Sequence, residues 1–192
     1  MTTLEQYREP PGRYLYHGTS PDNIDSIRTN GLRVDEENSD SNLIIKVLEE
    51  LDAIGSLPFD RRNVTYFHAD LDYVIETRIE TDDSGLNIAD SAVVIVDLLE
   101  LDAPIYVANM SIITDLIDYA CAGADAMMHA DTPEAAIDQY IDSIRPVTSP
   151  NDIATYPANG HTHLEVMVVG GVPSESILDA RDFSKGSSPT IQ

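Results

Sequence analysis

The segment 92–98 most constrains how this chain of 192 residues folds, because it has almost no polar interruption. Such a run is typical of a strand buried on both faces. Shorter apolar runs at 64–67 and 164–169, and the segment 13–16, also have the composition of strands. Apolar residues at helical spacing lie between these runs, so the sequence predicts one domain of the α+β class.

The predicted helices follow from caps and apolar spacing. Ser20 is placed as an N-cap, Pro21 stands at the first helical position, and Gly31 stands where a helix ends in a left-handed residue. Ser111 and Thr132 are predicted as further caps. The remaining helical patterns cover 43–54, 70–80, 111–119 and 133–144.

The predicted organisation has three parts. Residues 1–12 form a polar N-terminal arm, residues 13–183 form the domain, and residues 184–192 form a C-terminal tail. A helical insertion is expected at about 100–160, within the domain.

The charge balance is strongly acidic: 34 Asp and Glu against 11 Lys and Arg give a net charge of −23. This balance excludes a basic surface for nucleic-acid phosphates and argues against docking on anionic membranes. Asp outnumbers Glu by 22 to 12, and Lys46 and Lys185 are the two lysines. The composition resembles that of proteins from halophilic archaea or their viruses. Because about 1 M salt shortens the Debye length to about 3 Å, we expect the melting temperature to fall in dilute buffer.

Other classes of protein are disfavoured by the sequence. No apolar run approaches the ~20 residues of a membrane span, and the N-terminus lacks the layout of a secretory signal. Cys121 is alone, which excludes an internal disulfide and a thiolate metal cage, and we expect it to be a small core residue. The strand at 92–98 argues against disorder, and the scattered carboxylates argue against a DNA mimic. We therefore expect a cytoplasmic protein, with a virion as the alternative location.

The first candidate site is the segment 14–20, YLYHGTS, in which a strand ends at His17 and Gly18. Glycine lets a ligand approach the backbone with no Cβ in the way. His17, Thr19 and Ser20 place a ring nitrogen and two hydroxyls within reach of one polar ligand. The alternative for His17 is a strand-end histidine that serves only the fold.

Two further segments carry candidate residues. Tyr66 lies in the strand pattern VTYFHAD at 64–70, where a core aromatic is the alternative. Glu165 lies between Leu164 and Val166 in an otherwise apolar strand. A carboxylate in such a setting needs a partner or a function, and exposure on an edge strand is the alternative.

Together these segments resemble the ADP-ribosyltransferase superfamily of the His–Tyr–Glu type. Poly-ADP-ribose polymerases, DNA-targeting toxin transferases and tRNA 2′-phosphotransferases belong to it. The resemblance includes the pattern GVPSESI after the last strand and covers less than half of the chain, at about 13–34, 63–78, 92–98 and 163–178. It implies two small antiparallel sheets that split around an NAD cleft, with flanking helices.

The implied activity is NAD-dependent transfer of ADP-ribose, with NAD as co-substrate and an unknown macromolecule or water as acceptor. The Gly18 backbone would hold the carboxamide, and His17, with Thr19 and Ser20 nearby, would bind the adenine-side ribose. Tyr66 would stack on the nicotinamide ring. These roles follow from the resemblance.

Glu165 would bind the nicotinamide-side ribose and stabilise the positive charge that develops at C1′. We therefore expect Glu165 to border one cleft with His17 and Tyr66. A position of Glu165 on the opposite sheet face from His17 would end the case for a transferase outright. His163 stands where the family has Gln or Glu at its acceptor contact, and Tyr73 is the nearest match to a second family tyrosine, at unsuitable spacing.

The sequence leaves a second function open. The chain could be a non-catalytic component of a larger assembly, such as a virion, that keeps the transferase fold but fills the cleft. His161 and His163 lie two residues apart, which places them on one strand face, but two ligands are half of a metal site and we predict no metal here. The sequence offers no third metal ligand nearby.

Overall fold

The fold is built on one antiparallel sheet. The structure is a computed structural model that describes residues 4–34, 39–75, 92–156 and 163–182. The strands of these ranges are β1 Tyr14–Thr19, β2 Val64–His68, β3 Ala92–Asp97, β4 Ile105–Asn109, β5 Arg145–Val147, β6 Leu164–Val169 and β7 Ile177–Asp182. They form a seven-stranded sheet in the order β5-β4-β6-β2-β1-β3-β7.

Helices lie on both sides of this sheet. They are α1 Ile24–Asn30, α2 Ser39–Glu50, α3 Leu71–Val74, α4 Met110–Ala122, α5 Pro133–Ser143 and α6 Pro150–Ala154. Short 3₁₀ helices cover Leu4–Tyr7, Pro21–Asn23, Ile54–Ser56, Arg61–Asn63, Leu98–Glu100, Ala124–Ala126 and Ser174–Ser176. The mixed α+β class is confirmed, whereas the described residues form one sheet in place of the two that the resemblance implies.

Local signals in the sequence set several element ends. Ser20 accepts from the Asp22 N–H ahead of the 3₁₀ turn that leads into α1, and Thr132 caps α5 as predicted. The predicted cap at Ser111 is wrong, because α4 begins one residue earlier and the side chain of Asn109 accepts the Ser111 N–H. An asparagine oxygen two residues before the N–H serves the same purpose as a serine hydroxyl.

The segment at about 100–160 is not purely helical. Besides α4, α5 and α6, it contributes β4 and β5, which extend the sheet beyond β6. Cys121 lies exposed on α4, so the prediction that it is a core residue is wrong. The tail at 184–192, and the predicted helix beyond residue 75, lie outside the described residues.

The sheet is buried on both faces, which explains the uninterrupted apolar run of β3. The face toward α1 and α6 forms the first core, which includes Leu15, Ile27, Phe67, Val94, Val107, Ile153 and Val166. The face toward α2, α4 and α5 forms the second core, which includes Ile44, Leu48, Ile112, Leu116, Ile137, Tyr140 and Met167. Alternate residues of β2, β4 and β6 therefore contribute to opposite cores. On β1 and β3 the residues opposite the first core, which are Tyr16, Val93 and Ile95, pack instead with α3 in a third, smaller core.

Candidate functional site

The strands β1 and β2 part from each other at the carboxyl end of β1. β1 pairs with β3 along its whole length, but its registered pair with β2 is Tyr16↔His68. Next to this pair, Nδ1 of His17 lies 2.8 Å from the backbone carbonyl of Tyr66. A carbonyl only accepts, so Nδ1 donates the proton, and the histidine side chain bridges the two strands where they part.

A cavity of about 320 Å³ lies between the end of β1, the start of β2 and α1. Its described lining consists of His17, Thr19, Asn23, Ser26, Ile27, Gly31, Leu32, Arg33, Val34, Val64, Thr65 and Tyr66. We call this cavity the β1–β2 cavity. Its described lining contains no Asp or Glu, and Arg33 is the permanently charged side chain in it.

The backbone around Gly31 fixes the part of the cavity wall that comes directly after α1 in the chain. Gly31 has φ +77°, and a Cβ on it would lie 2.1 Å from the carbonyl oxygen of Val172, so this position requires glycine. Leu32 and Val172 then exchange two backbone hydrogen bonds of 2.8 Å. Arg33 therefore begins from a backbone that is anchored to the segment after β6.

The sheet separates His17 from Glu165. The His17 ring contacts the ring of Phe67 at 5.7 Å between centroids, on the face of the first core. Glu165 has the same orientation along β6 as Met167, which belongs to the second core. Glu165 is therefore on the opposite face from His17. The expectation that it borders one cleft with His17 and Tyr66 is wrong for this structure, and by the criterion given above this position argues against catalysis of transfer by these three residues.

Glu165 is paired inside the protein. Its side chain is 9% exposed and that of Arg61 is 1% exposed, and Oε1 lies 2.8 Å from Nη2 of Arg61. The other guanidinium nitrogen, Nη1, lies 3.3 Å from Oε2, and the hydroxyl of Tyr140 donates to the same oxygen at 3.1 Å. Arg61 also hydrogen-bonds the Tyr140 hydroxyl. We call Arg61, Tyr140 and Glu165 the buried cluster.

Electrostatics keep Arg61 in the buried cluster charged. Burial, the largest single effect, acts to lower the pKa of its guanidinium, but the negative charge of Glu165, together with Tyr140, Tyr66 and the hydrogen bond to Glu165, outweighs burial, and the pKa is raised. Burial raises the pKa of the Tyr140 hydroxyl well above its usual value. The buried cluster therefore holds a cation, an anion and a neutral phenol.

Tyr66 lies between the β1–β2 cavity and the buried cluster. It lines the cavity, its hydroxyl donates to the carbonyl of Arg61 at 3.0 Å, and the Arg61 guanidinium lies 4.9 Å from the centre of its ring. Such a cation–π contact stabilises a desolvated arginine. Tyr66 is thus the predicted site residue that contacts both regions.

The other predicted binding residues are distributed differently. Thr19 is buried and lines the cavity, and its hydroxyl accepts from the Asn23 amide at 3.3 Å. Gly18 pairs with Val93 of β3 and, with Ser20, is absent from the described lining of the cavity. Ser20 instead caps the turn that leads into α1.

A stack of rings lies near the start of β6. The ring of Tyr73 lies 4.0 Å from that of His163 and 5.0 Å from that of His68. His161, the other half of the predicted histidine pair, lies outside the described residues. Within the described ranges, no group of three or more His, Cys, Asp or Glu is arranged to hold a metal ion.

Sequence reasoning missed Arg61, Tyr140 and Arg33. A signal for Arg61 was present, since Glu165 needs a partner and the chain has few cations to offer one. Tyr140 shows no such signal, because it has the spacing of an ordinary apolar residue on α5.

The chain matches no protein-family model, and no curated protein matches it significantly in sequence. Among the described helices, none combines the length and the apolar character needed to cross a bilayer.

Proposed function

We propose that this chain is an ADP-ribosyltransferase-like protein that binds NAD in the β1–β2 cavity. The observation that carries the proposal is the divergence of two neighbouring strands beyond the Tyr16↔His68 pair. This divergence opens a cavity lined by His17 and Tyr66, two residues that the family resemblance selects.

His17 supports the binding of a ribose. In the neutral tautomer whose Nδ1 donates to the Tyr66 carbonyl, Nε2 is the acceptor nitrogen of the ring. An imidazole nitrogen of this kind accepts from a sugar hydroxyl. Asn23 and Ser26 add an amide and a hydroxyl to the same lining.

The size of the cavity supports a partial enclosure of the dinucleotide. Its 320 Å³ is near the lower end of the ~300–1,000 Å³ usual for small-molecule pockets. A cavity of this size fits one nucleoside half of NAD, and the other half would extend past its open side.

Transfer of ADP-ribose needs a further step. The bond between nicotinamide and C1′ breaks, its electron pair leaves with nicotinamide, and the acceptor forms a bond to C1′ as it loses a proton. A carboxylate near C1′ stabilises the developing positive charge. The resemblance gives this role to Glu165, but Glu165 lies on the other face of the sheet from His17 and is paired with Arg61, so this geometry does not support transfer by Glu165.

A second candidate is a protein that binds NAD without turnover, in the manner of a structural component that keeps the fold. The buried cluster favours it. Arg61 already compensates the charge of Glu165, and Glu165 is absent from the described lining of the cavity. A compensated carboxylate stabilises a cation at C1′ less than a free one does.

Calorimetric titration with NAD and an assay of nicotinamide release, both in about 2 M KCl to screen the acidic surface, separate the two candidates. For a transferase, Glu165→Gln lowers release by about 10²–10³-fold while NAD still binds. Glu49→Gln, which changes a carboxylate in an exposed pair with Arg62, is the matched control. Circular dichroism checks that each variant is folded.

Each result decides between the candidates. Release by the wild type that depends on Glu165 and not on Glu49 supports the transferase. Binding of NAD without release supports the second candidate. Absence of NAD binding by the wild type contradicts both.

A further inference from the structure

We infer that Arg33 is the anion-recognition residue of the β1–β2 cavity, and that the ligand of this cavity is a nucleotide whose phosphate contacts Arg33. The inference rests on the proposed binding of a nucleotide in this cavity. It adds the specificity of that binding: phosphorylated nucleosides are bound more tightly than free nucleosides.

The charges around the cavity carry the inference. The chain has 34 acidic residues, yet none is in the described lining of the β1–β2 cavity. A second cavity, of about 290 Å³ at the other end of β1, has both Arg8 and Asp70 in its lining. The β1–β2 cavity therefore combines a positive side chain with neutral polar groups, which favours an anionic ligand.

Arg33 also differs from most arginines of this chain. Carboxylates pair with Arg8, Arg13, Arg61, Arg62 and Arg181. Arg33, by contrast, makes no hydrogen bond or ion pair with the described part of the chain, and its side chain is exposed beside the cavity. In a protein with three times as many acids as bases, an arginine that pairs with no acid among the described residues is available to a ligand.

The position of Arg33 suits this role. Its backbone follows Leu32, which the two hydrogen bonds to Val172 hold in place. The guanidinium is a planar fork whose donors match a phosphate, and such charge-assisted bonds are stronger than neutral ones. Thr19, Asn23 and Ser26 supply neutral polar groups on the neighbouring wall, where a ribose would lie.

The test compares ADP with adenosine by calorimetric titration of the full chain in about 2 M KCl. We expect the wild type to bind ADP more tightly than adenosine. Arg33→Gln lowers the affinity for ADP by about 10- to 100-fold and changes that for adenosine by less than about 2-fold. Arg33→Lys, which keeps the charge but loses the fork, gives an intermediate loss. Arg62→Gln is the matched control, because Arg62 is an exposed arginine paired with Glu49.

The inference is overturned if Arg33→Gln binds ADP as tightly as the wild type, or if the wild type binds adenosine as tightly as ADP. Titration with NAD separates this failure from failure of the proposed function. Equal binding of NAD by the wild type and Arg33→Gln overturns the role of Arg33 and leaves the proposed function standing. If the wild type binds ADP in a way that depends on Arg33 but does not bind NAD, the role of Arg33 stands and the proposed function is overturned. If the wild type binds none of the three ligands, both are overturned.

Discussion

The β1–β2 cavity and the buried cluster lie on neighbouring strands but treat their polar groups in opposite ways. In the cavity, His17 and Arg33 face space that a ligand can occupy. In the buried cluster, the charges of Arg61 and Glu165 satisfy each other and are sealed by Tyr140. The difference teaches that a carboxylate in an apolar strand is not by itself a catalytic group, since the protein can supply its partner.

This comparison predicts that substitutions in the two regions affect different properties of the protein. Substitutions in the buried cluster should change the free energy of unfolding, because a charge left alone in the interior is costly. Substitution of the exposed Arg33 beside the β1–β2 cavity should change ligand affinity and leave stability nearly unchanged. The predictions below test this division, from the largest expected effect to the smallest.

Arg61→Met should lower the free energy of unfolding by about 3–5 kcal/mol, because Glu165 then keeps a buried charge with no cationic partner. Denaturant unfolding in about 2 M KCl measures the change. The double variant Arg61→Met with Glu165→Leu removes both charges and should recover most of the loss. A single variant that loses less than about 1 kcal/mol would show that Glu165 is not dependent on Arg61.

Asp115→Asn should cost about 2 kcal/mol, since hydrogen bonds to a charged group are among the stronger ones. Asp115 on α4 is fully buried and accepts from the backbone N–H groups of Met128, His129 and Ala130. It shows a second way of keeping a buried carboxylate, with backbone donors in place of an arginine. Chemical unfolding of wild type and variant at pH 7 measures the difference.

The same carboxylate gives a pH dependence. Burial acts to raise the pKa of Asp115, but the hydrogen bonds from the Met128 N–H and from His129 outweigh it, and the pKa is lowered. Its contribution to stability is therefore complete above the unfolded value of about 4 and is lost as the pH falls through the folded value. Between pH 3 and pH 7, the free energy of unfolding should change less with pH for Asp115→Asn than for the wild type. The same pH dependence in both proteins would contradict this.

Tyr140→Phe should cost about 1 kcal/mol, because it removes one hydrogen bond to Oε2 of Glu165 and keeps the ring packed in the second core. The Arg61–Glu165 pair stays intact, so the loss is smaller than for Arg61→Met. Thermal unfolding checks the stability, and NAD titration should give the wild-type affinity. A large loss of NAD affinity would show that the buried cluster and the cavity are coupled.

Arg33→Gln should change the free energy of unfolding by less than about 0.5 kcal/mol, because the exposed side chain contributes no bond to the described part of the protein. Denaturant unfolding gives this value alongside the titration with ADP. A loss of more than about 1 kcal/mol would assign Arg33 to the stability of the fold and would weaken the contrast between cavity and buried cluster.

Parts of this architecture could be predicted because the responsible signals are local. The apolar runs at 64–67, 92–98 and 164–169 are strands, and Thr132 is a cap, because each depends on neighbours within a few residues. The strand at 177–182 was not predicted from the sequence. It lies at one edge of the sheet and contains few apolar residues, so its composition is close to that of a loop.

The arrangement of the candidate site could be predicted only in part. The need of Glu165 for a partner follows from its apolar neighbours, but the identity of that partner depends on tertiary packing. The face on which Glu165 lies depends on the register of β6 between β2 and β4. A change of register by one residue would reverse it, and no local pattern specifies that pairing.

The order of strands in the sheet has a consequence for how the chain is made. β6 lies between β4 and β2, so among the described strands β4 and β5 join the rest of the sheet through a strand that is synthesised after both of them. The N-terminal strands β1, β2 and β3 emerge from the ribosome first. Until residues 164–169 are synthesised, the edges of β2 and β4 that pair with β6 have no partner strand. Pairing of β6 with both edges then joins the two halves of the sheet.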